Sequence, residues 1–429
     1  MNNYIYAVIT VLLLTAPSLS AQQVVPLEQA VDMALQHNRS LQIKSLQTAE
    51  KQAKVQEDNI KKYPSVTVNS TYQYNPNLGV LTIPEGSFGS LPTGGTTVLL
   101  PNEAKSFQLG NHNTFNAGVT VYQPITQLGK IKAGVEVLRT DVLIAEQEKT
   151  KAALQVKQAV ERLYYGILIT RKQKEEAAAK MALAKIKLYD VESALLSGKT
   201  IDVNKAGLQA NIADEEQDML KLDIQEEDYR ADLQQLTGLT ADSMQVEMPA
   251  TILPATDATV NTSYNVDLRI AMLNRTKTEQ AIKATRLNYL PDVGLIAGYS
   301  YQTGNLLYPT NNPFAGAQLK WDIQGLFANK QVLKQRHFLL QQAQENIENT
   351  QEQVNNDIAK ARRKITQAAA LIAVAQKVVN YRQEELKIQE DKQAAGLNIA
   401  ADILDTRSSL AKATADLLSA QLNYRLAQS

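Results

Sequence analysis

Two glycine turns, Gly198-Lys199-Thr200-Ile201-Asp202 and Gly396-Leu397-Asn398-Ile399-Ala400-Ala401-Asp402, each follow a long helix-forming stretch, and each opens a second one. They lie 198 residues apart, nearly half of the 429-residue chain. A helix-turn-helix written twice at that spacing makes the chain two copies of one plan. In the second copy Asp402 and Asp405 are three residues apart, so they share one helical face. Acids in a first turn are favoured by the helix dipole whatever their role, so the pair alone fits a surface cap as well as a site.

The stretches around the turns repeat as well. Residues 127–196 are rich in Ala, Lys, Glu, Gln and Leu and contain no proline, which predicts a helix approaching ~100 Å. A return helix is expected over 203–236, closed by Leu236-Thr237-Gly238. Ahead of it, helical spacing runs over 27–35 and 40–60 and stops at Tyr63-Pro64, because proline disfavours helix in the preceding residue. The period then changes to 2 in runs 66–75 and 115–121, which predicts two strands joined by a Gly/Pro/Thr-rich excursion over 76–113. The second half replays this: a helix over 267–288 stopped at Leu290-Pro291, alternating runs 293–301 and 315–321, a long helix over 329–395, the Gly396 turn, and a helix to the C-terminus.

The expected organisation is a first repeat over 22–240, with strand pair 64–124 and helical hairpin 127–238, and a linker over 241–264. A second repeat over 265–429 follows, with strand pair 291–323 and hairpin 326–429. Residues 1–21 read as a secretory signal peptide: a short apolar run over 4–14, Pro17, and a small-residue cleavage site next to Ala21. A formal net charge of +0 gives no electrostatic footprint for nucleic acid. The absence of cysteine excludes disulfides and thiolate chemistry. His37, His112 and His337 have no metal-ligand spacing. No phosphate loop, zinc motif or dinucleotide fingerprint is present, and Glu85-Gly86-Ser87-Phe88-Gly89 lacks the strand-turn-helix frame of a serine nucleophile. An enzyme, a cofactor and a metal site are therefore not expected.

Four runs of about ten residues, each with one apolar face, match tilted membrane-spanning strands, and a membrane admits strands only in a closed barrel. Four strands cannot close alone, so several copies must share one barrel. Each strand pair returns to its starting side, which places all helices on one side of the membrane.

Over essentially the whole mature length the chain resembles the TolC family of outer-membrane efflux proteins. The resemblance is carried by Leu27-Glu28-Gln29-Ala30 through Ala34-Leu35 and Asn38, Tyr63-Pro64-Ser65-Val66, Val121-Tyr122-Gln123-Pro124-Ile125 with Gly129-Lys130, Leu236-Thr237-Gly238, Asn265-Val266-Asp267-Leu268, and the Gly396 turn with Asp402-Ile403-Leu404-Asp405. It implies a mainly α chain with membrane β structure: a homotrimer whose twelve shared strands form a transmembrane barrel and whose hairpins form a periplasmic α-barrel. It also implies docking by a periplasmic adaptor and an inner-membrane RND or ABC pump, in the outer membrane of a Gram-negative bacterium.

By the same resemblance Asp402 and Asp405 fall on the family's periplasmic constriction, six carboxylates in three copies. Adaptor docking falls on the hairpin tips Gly198, Lys199, Gly396 and Leu397. The family's polar lock maps to Gln393, Asn398, Val203 and Asn204, where its tyrosine, arginine, threonine and aspartate are all replaced. The prolines expected after Asn38 and Asn265 are also replaced, by Arg39 and Val266. Two alternatives differ in kind: a periplasmic adaptor or helical-hairpin scaffold, with one hairpin and soluble β-domains, and a stand-alone outer-membrane pore. The cargo, whether drug, metal or polypeptide, is not encoded in any motif, and seven methionines without a cluster give no support for copper or silver.

Overall fold

A computed structural model describes residues 23–196, 202–238, 244–248, 265–305, 308–397 and 400–428. The first repeat contains β1 (Gln23–Val25), α1 (Leu27–His37), α2 (Arg39–Ile60), β2 (Ser65–Tyr74), β3 (Gly79–Ile83), β4 (Ser90–Thr93), β5 (Thr96–Leu99), β6 (Lys105–Leu109), β7 (Asn113–Pro124), α3 (Gln127–Leu196) and α4 (Asp202–Thr237). After β8 (Met244–Val246) the second repeat contains α5 (Val266–Leu287), β9 (Asp292–Thr303), β10 (Asn311–Lys320), α6 (Ile323–Ala394) and α7 (Ala400–Gln428).

The duplication reaches the helix caps. Asn38 Oδ1 accepts the backbone N–H groups of Ser40 and Leu41 at 2.9 and 3.3 Å, and Asn265 Oδ1 accepts those of Asp267 and Leu268 at 3.0 and 3.1 Å. Each Asn satisfies orphan donors at a helix start, and the Leu that follows is buried in both copies. That is the physical content of the paired Asn-x-x-Leu motifs.

The chain forms two units. One holds residues up to Thr48, Ala145–Ala271 and Ile347–Ser429. Its main core packs Leu27, Ala30 and Ala34 of α1 against Val160, Tyr164, Tyr165 and Ile167 of α3, with Leu233 of α4 and Leu418 of α7. A parallel pairing of β1 with β8 closes this core. The Tyr164 hydroxyl ties the two strands together, 2.9 Å from Val25 O and 2.8 Å from Glu247 O, and burial pushes it up to about 12. A second core joins α6 to α7 through Ala368, Ile372 and Val379 against Ala413, Leu417 and Tyr424.

The other unit, Ala49–Ile144 and Met272–Asn346, holds a four-stranded antiparallel sheet in the order β10-β9-β7-β2. The joint between the repeats lies here: Thr126 Oγ1 donates to Pro291 O at 2.7 Å, and Lys130 meets the Asp292 carboxylate at 2.6 Å.

Three features differ from the sequence expectation. The 76–113 excursion is not a plain loop but two further hairpins, β3 with β6 and β4 with β5. The helix α6 begins at Ile323 rather than near residue 329, because Asp322 Oδ1 caps the Gly325 N–H at 2.9 Å. The fourth strand ends at Lys320, so Trp321 lies outside it. Within the expected linker 241–264 the structure forms β8; residues 241–243 and 249–264 of it and the signal segment at 1–21 lie outside the described residues.

Candidate functional site

The turn between α6 and α7 is built by Gly396. Its φ is +93°, in the left-handed region, and nothing stands within 4 Å of where a Cβ would be. Backbone geometry alone therefore asks for glycine here. The Gly396 N–H donates to Gln393 O at 2.9 Å and the Leu397 N–H to Lys392 O at 3.2 Å, the paired bonds of a Schellman C-cap. Gln393 and Leu397 are both exposed beside the turn.

Beyond the turn Asp402 and Asp405 are exposed on α7, while Ile403 and Thr406 beside them are buried at 4% and 3%. The exposed line continues at helical spacing through Lys412, Asp416 and Asn423. Among the described residues Asp402, Asp405, Lys412 and Asp416 make no ion pair. The remaining charges of α7 do: Arg407 meets Glu390 at 2.9 Å, and Arg425 reaches Glu28 at 3.6 Å. Unpaired charge is thus confined to one stripe of the helix, which none of the described residues covers.

The first turn gives less. Gly198, Lys199 and Asn398 lie outside the described residues, and Val203 and Asn204 are described only as backbone in the first turn of α4. Near that tip Lys205 of α4 pairs with Glu192 of α3 at 3.0 Å. Farther along, the buried Glu226 of α4 gathers three cations: Arg171 Nε at 2.9 Å, Lys174 Nζ at 3.1 Å and Arg230 Nη2 at 2.8 Å. Burial alone would raise its pKa, but the hydrogen bonds from Arg171, Lys174 and Arg230 bring it down to about 2. Sequence reading missed this cluster; the only signal was the i, i+4 spacing of Glu226 and Arg230.

In the sheet, the register sorts residues onto two faces. Val66↔Val121, Val68↔Val119 and Tyr72↔Phe115 pair across β2 and β7, and the same face continues through Leu295, Tyr299 and Tyr301 of β9 to Leu319 of β10. Val68 is 73% exposed and Leu319 66%, so this apolar face is bare. Its alternate face carries Thr67, Asn69, Thr71, Asn116, Ser300 and Gln302, among others. Tyr72, Tyr74, Phe115, Tyr299 and Tyr301 cluster at one end of the apolar face, the arrangement of an interfacial aromatic girdle. Both outer edges, on β2 and β10, lack a strand partner among the described residues. Water does not tolerate such a sheet, and neither does lipid until the edges are paired. Among the described residues no helix is long and apolar enough to cross a membrane.

The sequence profile of the family described as outer membrane efflux protein matches residues 30–239 and 262–429. No curated protein sequence matches the chain. Among solved structures, the fold is similar to the CmeC outer membrane channel of Campylobacter jejuni, with TM-score 0.69 and 15% identity over 94% of this chain and 84% of that one. It is also similar to the outer membrane protein VceC of Vibrio cholerae (0.68, 16%, 94% and 95%) and to a membrane protein of Pseudomonas aeruginosa (0.70, 14%, 95% and 90%).

Proposed function

Because the chain belongs to the outer membrane efflux protein family, we propose that it is the exit duct of a tripartite efflux or type I secretion system, built from three copies. The observation that carries this reading is the four-stranded sheet with one bare apolar face and two unpaired edges. Joining β2 of one copy to β10 of the next, three times over, gives twelve strands, satisfies every edge and turns the apolar face to lipid. The helical hairpins then continue the duct on the periplasmic side of a Gram-negative outer membrane. Their tips, Gly198-Lys199 and Gly396-Leu397, meet a periplasmic adaptor coupled to an inner-membrane RND or ABC pump. An adaptor role fits poorly: it needs one hairpin and soluble β-domains, whereas this chain has two hairpins and an apolar sheet.

At the tips, Asp402 and Asp405 of three copies form a ring of six carboxylates that attracts cations and impedes anions. Their exposure on an unpaired stripe supports that role. With Gln393, Asn398, Val203 and Asn204 at the lock positions, the resting entrance is held without an ion pair there and opens with weak dependence on ionic strength.

The test is the assembled state. The protein extracted in detergent should have about three times the mass of one chain and conduct ions in planar bilayers. Cysteines near Leu397 should crosslink to a co-expressed adaptor. A water-soluble monomer would sink the reading.

A further inference from the structure

On the polar face of the sheet one band breaks the rule. Three rows cross all four strands; Ser65–Tyr122–Ile296–Gly316 and Thr67–Thr120–Gly298–Phe314 carry the large apolar side chains, whereas the third, Asn69–Gly118–Ser300–Asn312, has none. Tyr122, Ile296 and Phe314 are the band's large apolar side chains, set among Ser65, Thr67 and Thr120; the rows beyond carry Asn, Gln, Ser and Thr on one side, and Gln318, Asp292 and Lys320 on the other. It lies at the end of the sheet from which the chain passes to α2 and α3.

Both rings lie over glycines. A Cβ at Gly298 would come 2.6 Å from Phe314 Cζ, and one at Gly294 would collide with the Tyr122 ring. Glycine at these two positions lets an aromatic ring rest on the backbone; Tyr122 is half-buried there and Phe314 keeps an outer side uncovered. Phe314 remains 37% exposed there. The Tyr122 hydroxyl accepts from Gln127 Nε2 at 3.2 Å, which holds the polar end of the side chain toward the start of α3 and leaves the ring face as its apolar surface.

We propose that three copies of Tyr122, Ile296 and Phe314 form an apolar collar inside the barrel, at its helical end, which transiently binds the ring system of aromatic cargo and so sets the residence of such cargo in the duct. The proposal rests on the trimeric duct. The occupant follows from the lining: ring and aliphatic surface without a charged side chain favours offset stacking, and a cationic aromatic gains further from the ring quadrupole. The Asp402 and Asp405 ring acts on any cation, whereas the collar distinguishes cations by their rings.

Single-channel recording of the full-length protein in planar bilayers tests this, with tetraphenylphosphonium and tetraethylammonium as equally charged probes. Tetraphenylphosphonium should give resolved blocks and tetraethylammonium none of comparable length. Phe314→Ser should shorten those blocks about tenfold, while Phe314→Tyr keeps them within about twofold. Ile296→Ser should also shorten them, and supplies the reading if Phe314→Ser does not assemble. Wild-type protein that conducts but does not distinguish the probes overturns the collar, as does an assembled Phe314→Ser or Ile296→Ser trimer with unchanged block lifetimes. A non-conducting monomer overturns the duct reading, and the collar with it.

Discussion

The two return helices, α4 and α7, occupy the same place in the two repeats and are held in opposite ways. Along its 29 residues α7 buries eleven, mostly small or aliphatic, between α6 and the rest of its unit. Among the described side chains of its 36 residues α4 buries Glu226, Leu233 and Thr237, and leaves Leu220 65% and Ile224 61% exposed. Charge diverges too: α4 carries ten acidic and three basic residues, α7 three of each. One helix is packed on its own chain along its length, its charged stripe excepted. The other is pinned by ion pairs and waits for cover from outside it, which in a three-copy duct is the neighbouring copy.

The strongest way to break that comparison is to spoil the uncovered apolar face. Leu220→Asp with Ile224→Asp should abolish the trimer on native gels and leave monomer, because two carboxylates would have to be desolvated at the contact. If the double variant assembles normally, α4 faces solvent in the assembly and the contrast has another cause.

Next is the pin itself. Glu226→Gln leaves three cations gathered without their carboxylate and should destabilise the α4 attachment by about 3 kcal/mol, read as faster hydrogen exchange across α4 and not across α7. The same carboxylate gives a pH signature. Its folded pKa of about 2 lies below the unfolded value, so its contribution is fully present above about pH 4.5 and is lost as pH falls toward 2. Exchange in α4 should therefore rise in that window before exchange in α7, and Glu226→Gln should remove the difference.

A smaller effect separates fit from charge. At Gly166 of α3 a Cβ would stand 2.9 Å from the Tyr229 ring of α4, so this glycine makes room for a ring rather than merely weakening a long helix. Gly166→Val should cost about 2 kcal/mol through overpacking, and adding Tyr229→Leu should recover most of it. Without recovery, the glycine serves α3 alone.

Much of this architecture was legible in the sequence because its signals are local. The span of α3 follows from 70 residues without proline, the turn from Gly396, and the strands from period-2 alternation. What escaped needed partners distant in the chain. The pairing of β1 with β8 joins three-residue segments about 220 positions apart, too short to show a period. The Glu226 cluster draws its cations from two helices, and the hairpins inside 76–113 lie in a stretch whose glycines and prolines read as loop. At the candidate entrance the aspartates were legible, but their isolation was not: only packing shows that Arg407 and Arg425 are paired while Asp402 and Asp405 are free of ion pairs.

The smallest effect on folding, and the sharpest on function, belongs to those aspartates. Asp402→Ala with Asp405→Ala should leave trimer stability within about 0.5 kcal/mol, since exposed carboxylates contribute little. Block by multivalent cations should vanish, because the proposed entrance ring then holds no charge. Cation selectivity, however, should fall only in part: α4 carries ten acidic residues against three basic, where α7 carries three of each, so in the proposed duct α4 still contributes a negative field after the ring is gone. Reversing two exposed acids of α4 with Asp214→Lys and Glu216→Lys should produce the complementary result, weaker selectivity with multivalent block intact. Both variants behaving alike would mean that selectivity and block share one site. The acidic excess of α4 would then serve the fold and not the current.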